Sequence, residues 1–262
     1  AHQPALFESQ PDGQSEPVEC LGLVFASDAE RRAYFSELLR EKLQDPDFRR
    51  IDGFPIGEDE DILALSDPPY YTACPNPFVE DFINLYGKPY DPKSDVYHRE
   101  PFAADVREGK SNAIYRAHTY PTKVPHKAVM HFILHYTEPG DVIFDGFCGT
   151  GMTGVAAKKC GSKAEIESLG YKVSRDGSVL KKGRDESGTE TWQHFSRVGE
   201  RKAILNDLAP SGTFIARNYN ALTKFGRFKK QVGEILLQLE EECGWMYQTR
   251  HTNGGLGKIN VV

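Results

Sequence analysis

No stretch of this 262-residue sequence approaches the roughly 20 consecutive apolar residues that a bilayer-crossing helix needs. Its beginning, AHQPALFESQPDGQSEPVEC, lacks the basic-then-apolar layout of a secretory signal. Cysteine is sparse. The five present, at 20, 74, 148, 160 and 243, are odd in number, widely spaced and without a C-x-x-C pair. That argues against a disulfide framework and a cysteine-rich zinc site, and the expected setting is reducing and cytoplasmic, away from membranes. An excess of positive charge is also missing. The net charge of −6 is unusual for a nucleic-acid binder, although a local basic stripe can coexist with it. One such stripe is KFGRFKK, with Lys224, Arg227, Lys229 and Lys230, most simply the solvated face of a helix. No internal repeat is present.

What is present is the composition of a folded protein, 39% hydrophobic and 27% charged. Residues 1–26 read as a flexible leader and 27–262 as one domain with an insertion at 162–200. In SDAERRAYFSELLREKLQDPDF, Ser27 or Asp28 can cap a helix whose apolar residues Phe35, Leu38, Leu39 and Leu43 recur at three and four. Its Arg/Glu-rich outer face is expected to face solvent. DILALSDPPYY reads as a short buried strand ended by Pro68 and Pro69. NPFVEDFINLYG reads as a helix with Asn76 as possible cap, Pro77 in the first turn and Gly87 past the end. Residues 88–120 read as a long loop.

VPHKAVMHFILHYTEPGD then predicts a helix, DVIFD a strand, and MTGVAAKKCG a helix fed by the loop GFCGTGMTG. LGYKVSRDGSVL predicts a hairpin around Asp176–Gly177, KAILNDL a strand, and helices follow from Pro210 and over about 225–247. The last carries Phe228, Val232, Ile235, Leu236 and Leu239 on one side, and KINVV reads as the opening of a further strand. Strand, loop, helix, strand, helix indicates an α/β fold with a parallel sheet.

Gly149, Gly151 and Gly154 have the G-x-G-x-x-G spacing of a nucleotide-binding loop at a helix N-terminus. A lone match of this kind is weak. Asp145, immediately before the loop, would repel the pyrophosphate of a nicotinamide cofactor, whereas a sulfonium- and ammonium-bearing ligand such as S-adenosylmethionine would welcome it. A second motif, SDPPYY, combines a carboxylate, a fixed carbonyl and an aromatic face. Those groups suit a flipped-out base bearing an exocyclic amine: Asp67 and the Pro68 carbonyl accept its hydrogens and Tyr70 stacks on it. Four histidines, 118, 126, 131 and 135, have no acid placed beside them in sequence and read as ordinary packing or surface residues, with no metal expected. Cys148 reads as a small packing residue, Cys74 as at most a wall of the base pocket, and Tyr71 as wall or core.

Through these motifs the sequence resembles the amino-directed DNA methyltransferases. DVIFDGFCGTGMTG resembles their D-P-F-x-G-[S/T]-G-x-T cofactor loop, SDPPYY their D-P-P-Y, and YPTKVPHKAVMHFILHYTEPGD the H-P-T-Q-K-P segment that precedes the loop. The motif order is that of the permuted β group, and DPPYYTACPNPF resembles large bacterial modification methylases beside restriction and phage-defence genes. The resemblance implies a Rossmann-like, S-adenosylmethionine-dependent enzyme acting on DNA, adenine N6 before cytosine N4. RNA base methylation, or an inactive cofactor-binding or DNA-contacting part of a larger assembly, are the alternatives.

Residue by residue, it implies that Asp145, Phe147, Cys148, Gly149 and Gly151 form the cofactor loop. Thr122 and Lys123 would approach the methionine end and Asp207 the ribose hydroxyls, while Asp67, Pro68, Pro69 and Tyr70 would hold the base; Gly154 is left to helix–strand packing. Gly146 and Val124 depart from the family's proline and lysine. About 48 residues between Tyr71 and Tyr120 are too few for the strands and recognition region usual there. The expectation is therefore a fragment, partnered by the rest of a longer methylase or a restriction or defence subunit.

Overall fold

Two cores organise the first of the chain's two compact units, which ends at Asn220. The computed structural model describes residues 17–184, 187–221, 225–250, 252 and 254–258. Within the segment expected to be a flexible leader, Val18–Cys20 (β1) and Leu23–Phe25 (β2) form an antiparallel hairpin that buries Cys20 and Phe25.

Asp28–Leu43 (α1) follows, with the Ser27 hydroxyl accepting from Glu30 N at 3.0 Å. Phe35, Leu39 and Leu43 repeat every four residues and are buried with Phe48 of Pro46–Arg49 (α2). Burying each such side chain contributes about 1.5–3 kcal/mol. The outer face expected to be solvated holds an exception, because Arg31 lies on the buried stripe and is 2% exposed.

The expected strand in DILALSDPPYY is instead a helix, Asp59–Leu65 (α3), burying Ile62 and Leu63 in the same core. A short apolar run has no period that separates helix from strand. The deciding signal is the acidic trio Asp59, Glu60 and Asp61, whose charges favour a helix N-terminus. Val79–Tyr86 (α4) starts two residues beyond Pro77, and Asn76 does not cap it; the Asn76 side chain accepts from Phe78 N and donates to the Pro69 carbonyl, each at 2.9 Å. Gly87 ends the helix, its N–H reaching Ile83 O. Residues 88–120 are irregular except for Ala113–Arg116 (α5).

The second core joins His126–Tyr136 (α6) and Met152–Lys159 (α7), through Met130, Ile133, Leu134, Ala156 and Ala157, to the segment 162–200. Between the two helices runs Val142–Asp145 (β3), paired in parallel with Lys202–Leu205 (β7). The segment between α7 and β7 adds Lys163–Glu167 (α8), Lys172–Val173 (β4), Ser178–Arg184 (β5) and Glu190–Arg197 (β6). The hairpin turns at Asp176–Gly177 as expected, with Gly177 at φ +82°. The third strand, β6, makes the segment an antiparallel sheet that lays Val173, Val179 and Phe195 on the core. Pro210–Asn220 (α9) closes the unit.

The second unit comprises Phe225–Cys243 (α10), the 3-10 turn Gly244–Tyr247, and the hairpin Gln248–Arg250 (β8) with Leu256–Lys258 (β9). The strand expected in KINVV includes Lys258, and residues 259–262 lie outside the described residues. So do Lys224 and the side chain of Arg227 in the basic stripe, while Lys229 and Lys230 are exposed.

His126, at the start of α6, is wholly buried, and neither ring nitrogen meets a hydrogen-bond partner among the described residues. Burial pushes its imidazole below the ordinary value; Lys127 and Lys159 act in the same direction and Glu165 against it. A base depressed in the folded state stabilises above its ordinary value and loses that contribution as pH falls. The melting temperature is therefore expected to drop between pH 7.5 and 5.5, and His126→Leu to flatten the drop. Parallel pH profiles for the two proteins would assign the loss elsewhere.

Candidate active site

The glycine loop is built from both strands of the parallel pair. β3 ends at Asp145, and Cys148 N–H donates to Asn206 O at 2.9 Å, tying the loop to the exit of β7. Gly149 (φ +52°) and Gly151 (φ +73°) hold the left-handed backbone that turns the chain into α7. Gly149 N–H donates to Asp207 Oδ2 at 2.8 Å, and the other oxygen of Asp207 accepts from Ala209 N. Asp145 accepts from Phe147 N at 3.2 Å and from the Thr153 hydroxyl at 2.6 Å. A Cβ on Gly154 would lie 2.5 Å from Asn220 Oδ1 and 2.8 Å from Leu205 Cδ1, so this glycine allows α7 to pack on both β7 and α9.

A cavity of about 140 Å³ lies against this loop, with Thr122, Lys123, Asp145, Phe147, Cys148 and Gly149 in its wall. The Lys123 ammonium is held there. It donates to the His118 carbonyl and to the Tyr219 hydroxyl, and lies 4.8 and 5.3 Å from the ring centroids of Tyr115 and Tyr219. Burial, with Asp145 and Asp207 adding, pushes the Cys148 thiol up to about 11, which leaves it protonated and poorly nucleophilic at neutral pH.

The Asp-Pro-Pro-Tyr segment is a tight loop closed on itself: Asp67 N donates to Tyr71 O at 2.8 Å, and Tyr71 N to Asp67 O at 3.1 Å. Ser66, buried beside it, bonds back to Ile62 O and accepts from Ala73 N. Arg31 Nη1 donates to Asp67 Oδ1 at 2.7 Å and to the Pro68 carbonyl at 2.6 Å, and its guanidinium carbon lies 4.9 Å from the Tyr70 ring centroid. Arg217 of α9 pairs with the other oxygen, Asp67 Oδ2. Burial alone would raise the Asp67 carboxyl. The hydrogen bond from Arg31 and the charges of Arg217 and Arg31 outweigh it and hold the group below the ordinary carboxylate range. Burial, with a hydrogen bond to Cys20 adding, raises the Tyr70 phenol, so it stays neutral.

Most of the residues singled out from sequence thus gather at two places. Thr122, Lys123, Asp145, Phe147, Cys148 and Gly149 share the cavity, while Gly151 and Asp207 brace the loop without lining it. Asp67, Pro68, Pro69 and Tyr70 form the second place. Helix α9 touches both, with Ala216 packed over Gly151, Asn220 Nδ2 bonded to Gly151 O at 3.0 Å, and Arg217 paired with Asp67.

Sequence reasoning missed both arginines. Arg31 was findable, since it precedes Phe35, Leu39 and Leu43 by multiples of four and so shares their buried face. An acid absent from the neighbouring sequence does reach one histidine: His131 Nε2 lies 3.2 Å from Glu108 Oε1 and Nδ1 2.7 Å from the Tyr171 hydroxyl. Among the described residues, no group of three or more His, Cys, Asp or Glu side chains could hold a metal ion.

A nucleotide-type glycine loop on a parallel strand pair is thus joined by one helix, α9, to the Pro-Pro-Tyr loop that carries the Asp67 carboxylate. The family model described as DNA methylase, that of the N6-adenine and N4-cytosine methyltransferases, matches residues 23–176, and the chain belongs to this family. The matched span contains Asp67–Tyr70 and the whole glycine loop, and stops short of Asp207 and α9. No solved structure matches the chain. No helix among the described residues is long and apolar enough to cross a membrane.

Proposed function

We propose that the chain transfers a methyl group from S-adenosylmethionine to the exocyclic amine of a flipped DNA base, adenine N6 before cytosine N4, in restriction-modification or phage defence. The observation that carries this reading is the Asp67 carboxylate, kept ionised beside the Pro68 carbonyl and linked through α9 to the glycine loop. Two acceptors side by side suit an amine with two hydrogens. Accepting from both, they turn its lone pair out of conjugation with the ring, and Tyr70 supplies a stacking face.

The loop residues suit the methyl donor in charge. Asp145 would face a cationic ligand, Gly149 at φ +52° lines the cavity, and Lys123 is fixed at the cavity wall beside Thr122. Asp207, bonded to Gly149 N, is the acid at the ribose end of the loop in this reading. When bound, the donor supplies a methyl group on a sulfonium that departs as a neutral thioether. Positioning therefore supplies most of the catalysis, and the amine proton passes to Asp67 or to water. The order of the motifs, catalytic before cofactor loop, is that of the permuted β group.

A second reading, that the chain is an inactive portion of a longer methylase or of a defence assembly, is favoured by one observation: Arg31 already engages both acceptors. One experiment separates the two. Calorimetric titration is expected to show saturable binding of S-adenosylmethionine and none of NAD. Tritium from the donor's methyl group is then expected in DNA from a methylation-deficient host, and not in RNA. Donor binding without transfer favours the inactive portion, label in RNA alone redirects the substrate, and binding of NAD alone overturns the cofactor.

A further inference from the structure

We infer that Arg31 is an internal stand-in for the target amine, seated in the base pocket of the free protein, and that it sets the pocket's preference for amine-bearing bases by having to be displaced. The inference rests on the reading of Asp67–Tyr70 as the base site. Three contacts assigned to the base are each made by this one guanidinium. Nη1 carries two hydrogens, as an exocyclic amine does, and places them on Asp67 Oδ1 at 2.7 Å and the Pro68 carbonyl at 2.6 Å. The planar group also lies 4.9 Å from the Tyr70 ring centroid, on the aromatic face where a base would stack.

The remaining contacts describe a route out. Nε and Nη2 of Arg31 are held by Asp28 Oδ1, at 3.2 and 2.6 Å, one helical turn earlier in α1. The Asp28 side chain is 68% exposed. The arginine can therefore leave the pocket towards water while keeping one carboxylate partner. Asp67 keeps an ion-pair partner when this happens, because Arg217 holds the other oxygen, Oδ2, and is independent of α1. The two arginines divide the carboxylate: Arg217 holds Oδ2, and Arg31 guards Oδ1, the oxygen that the amine needs.

A thymine, which has no exocyclic amine, offers nothing to replace the two hydrogen bonds that Arg31 gives up. Adenine and cytosine offer an equivalent donor pair. The exchange therefore selects by the cost of leaving buried acceptors unpaired.

The test measures nucleosides rather than transfer, so that it stands apart from the assay of the enzymatic reading. 2′-Deoxyadenosine, 2′-deoxycytidine and thymidine are titrated into the full chain, into Arg31→Met and Arg31→Ala, and into Arg31→Met combined with Asp67→Asn. If the free pocket is open in about a tenth of the molecules or fewer, the arginine-free variants bind the two amine-bearing nucleosides about ten-fold tighter or more. Thymidine gains nothing, and the added Asp67→Asn cancels the gain. Unchanged affinities in both single variants, or an equal gain for thymidine, overturn the inference. Methionine replaces the buried stem of Arg31 but not its guanidinium, so a folding defect confined to Arg31→Ala leaves Arg31→Met to decide. Absence of methyl transfer in the wild-type chain, with the amine-selective gain present, would remove the enzymatic reading and leave the displacement supported.

Discussion

Asp67→Asn is expected to lower methyl transfer to DNA by about 100-fold or more, the scale seen when one preorganised hydrogen-bonding group is removed from a reacting centre. Binding of S-adenosylmethionine is expected to stay within about two-fold, since Asp67 does not line the cavity at the glycine loop. Asparagine keeps the shape and one acceptor but removes the charge. The same change leaves Arg31 and Arg217 without their shared counter-charge, and breaking a buried pair from one side costs about 3–5 kcal/mol. Asp28 retains its hold on Arg31, which places the expected loss towards the lower figure. The pH dependence provides an internal check. Because the folded-state value of Asp67 is depressed, its contribution is present above the ordinary carboxylate range and disappears as pH falls through the folded value. Acid unfolding of the variant should therefore be shallower than that of the wild type. Full transfer activity in Asp67→Asn would remove this residue from the reaction.

Gly151→Ala is expected to be the most damaging single methyl group in the glycine loop. Its φ of +73° is strained for any residue with a Cβ, at about 1–3 kcal/mol. The added carbon would also lie 2.7 Å from Ala216 Cβ, 2.8 Å from Asn220 Nδ2 and 2.9 Å from Ala216 Cα. Overpacking of this kind adds about 1–3 kcal/mol, and it falls on a helix backbone that has little room to give. The expected loss is thus about 2–6 kcal/mol, against a total of about 5–15 kcal/mol for a typical domain. Loss of donor binding should accompany it. Gly140→Ala separates the causes, because Gly140 has φ +85° and nothing within 4 Å of its Cβ position. It should show the conformational part alone. A partial recovery in Gly151→Ala combined with Ala216→Gly would assign the remainder to the helix contact, whereas equal losses at 140 and 151 would discard the packing argument.

The parts of the fold that could be read in advance are those encoded within one element and its neighbours. Ser27 and the four-residue spacing from Phe35 to Leu43 specify α1, and the apolar run before Gly149 together with the small residues after it specify β3 and α7. The failure at Ile62–Leu65 has a local cause, since four apolar residues fit either backbone and only the acids before them decide. The arginine pairs failed for the opposite reason. Asp67 meets Arg31 from 36 residues away and Arg217 from 150 residues away, and no periodicity carries information over such distances. What could be seen was the inconsistency itself, a charged residue in register with a buried apolar stripe. Likewise Lys123 was legible as a residue near the loop, but its clamp between Tyr115 and Tyr219 depends on α9 arriving beside it.

Helix α9 carries the two contacts on adjacent residues. Ala216 rests on the backbone of Gly151, and Arg217, the next residue and about a hundred degrees further round the helix, grips Asp67. A shift of the helix would move both contacts together. The glycine loop and the carboxylate thus share one support. If the proposed donor and base sites are coupled through it, the change in affinity must be equal in both directions.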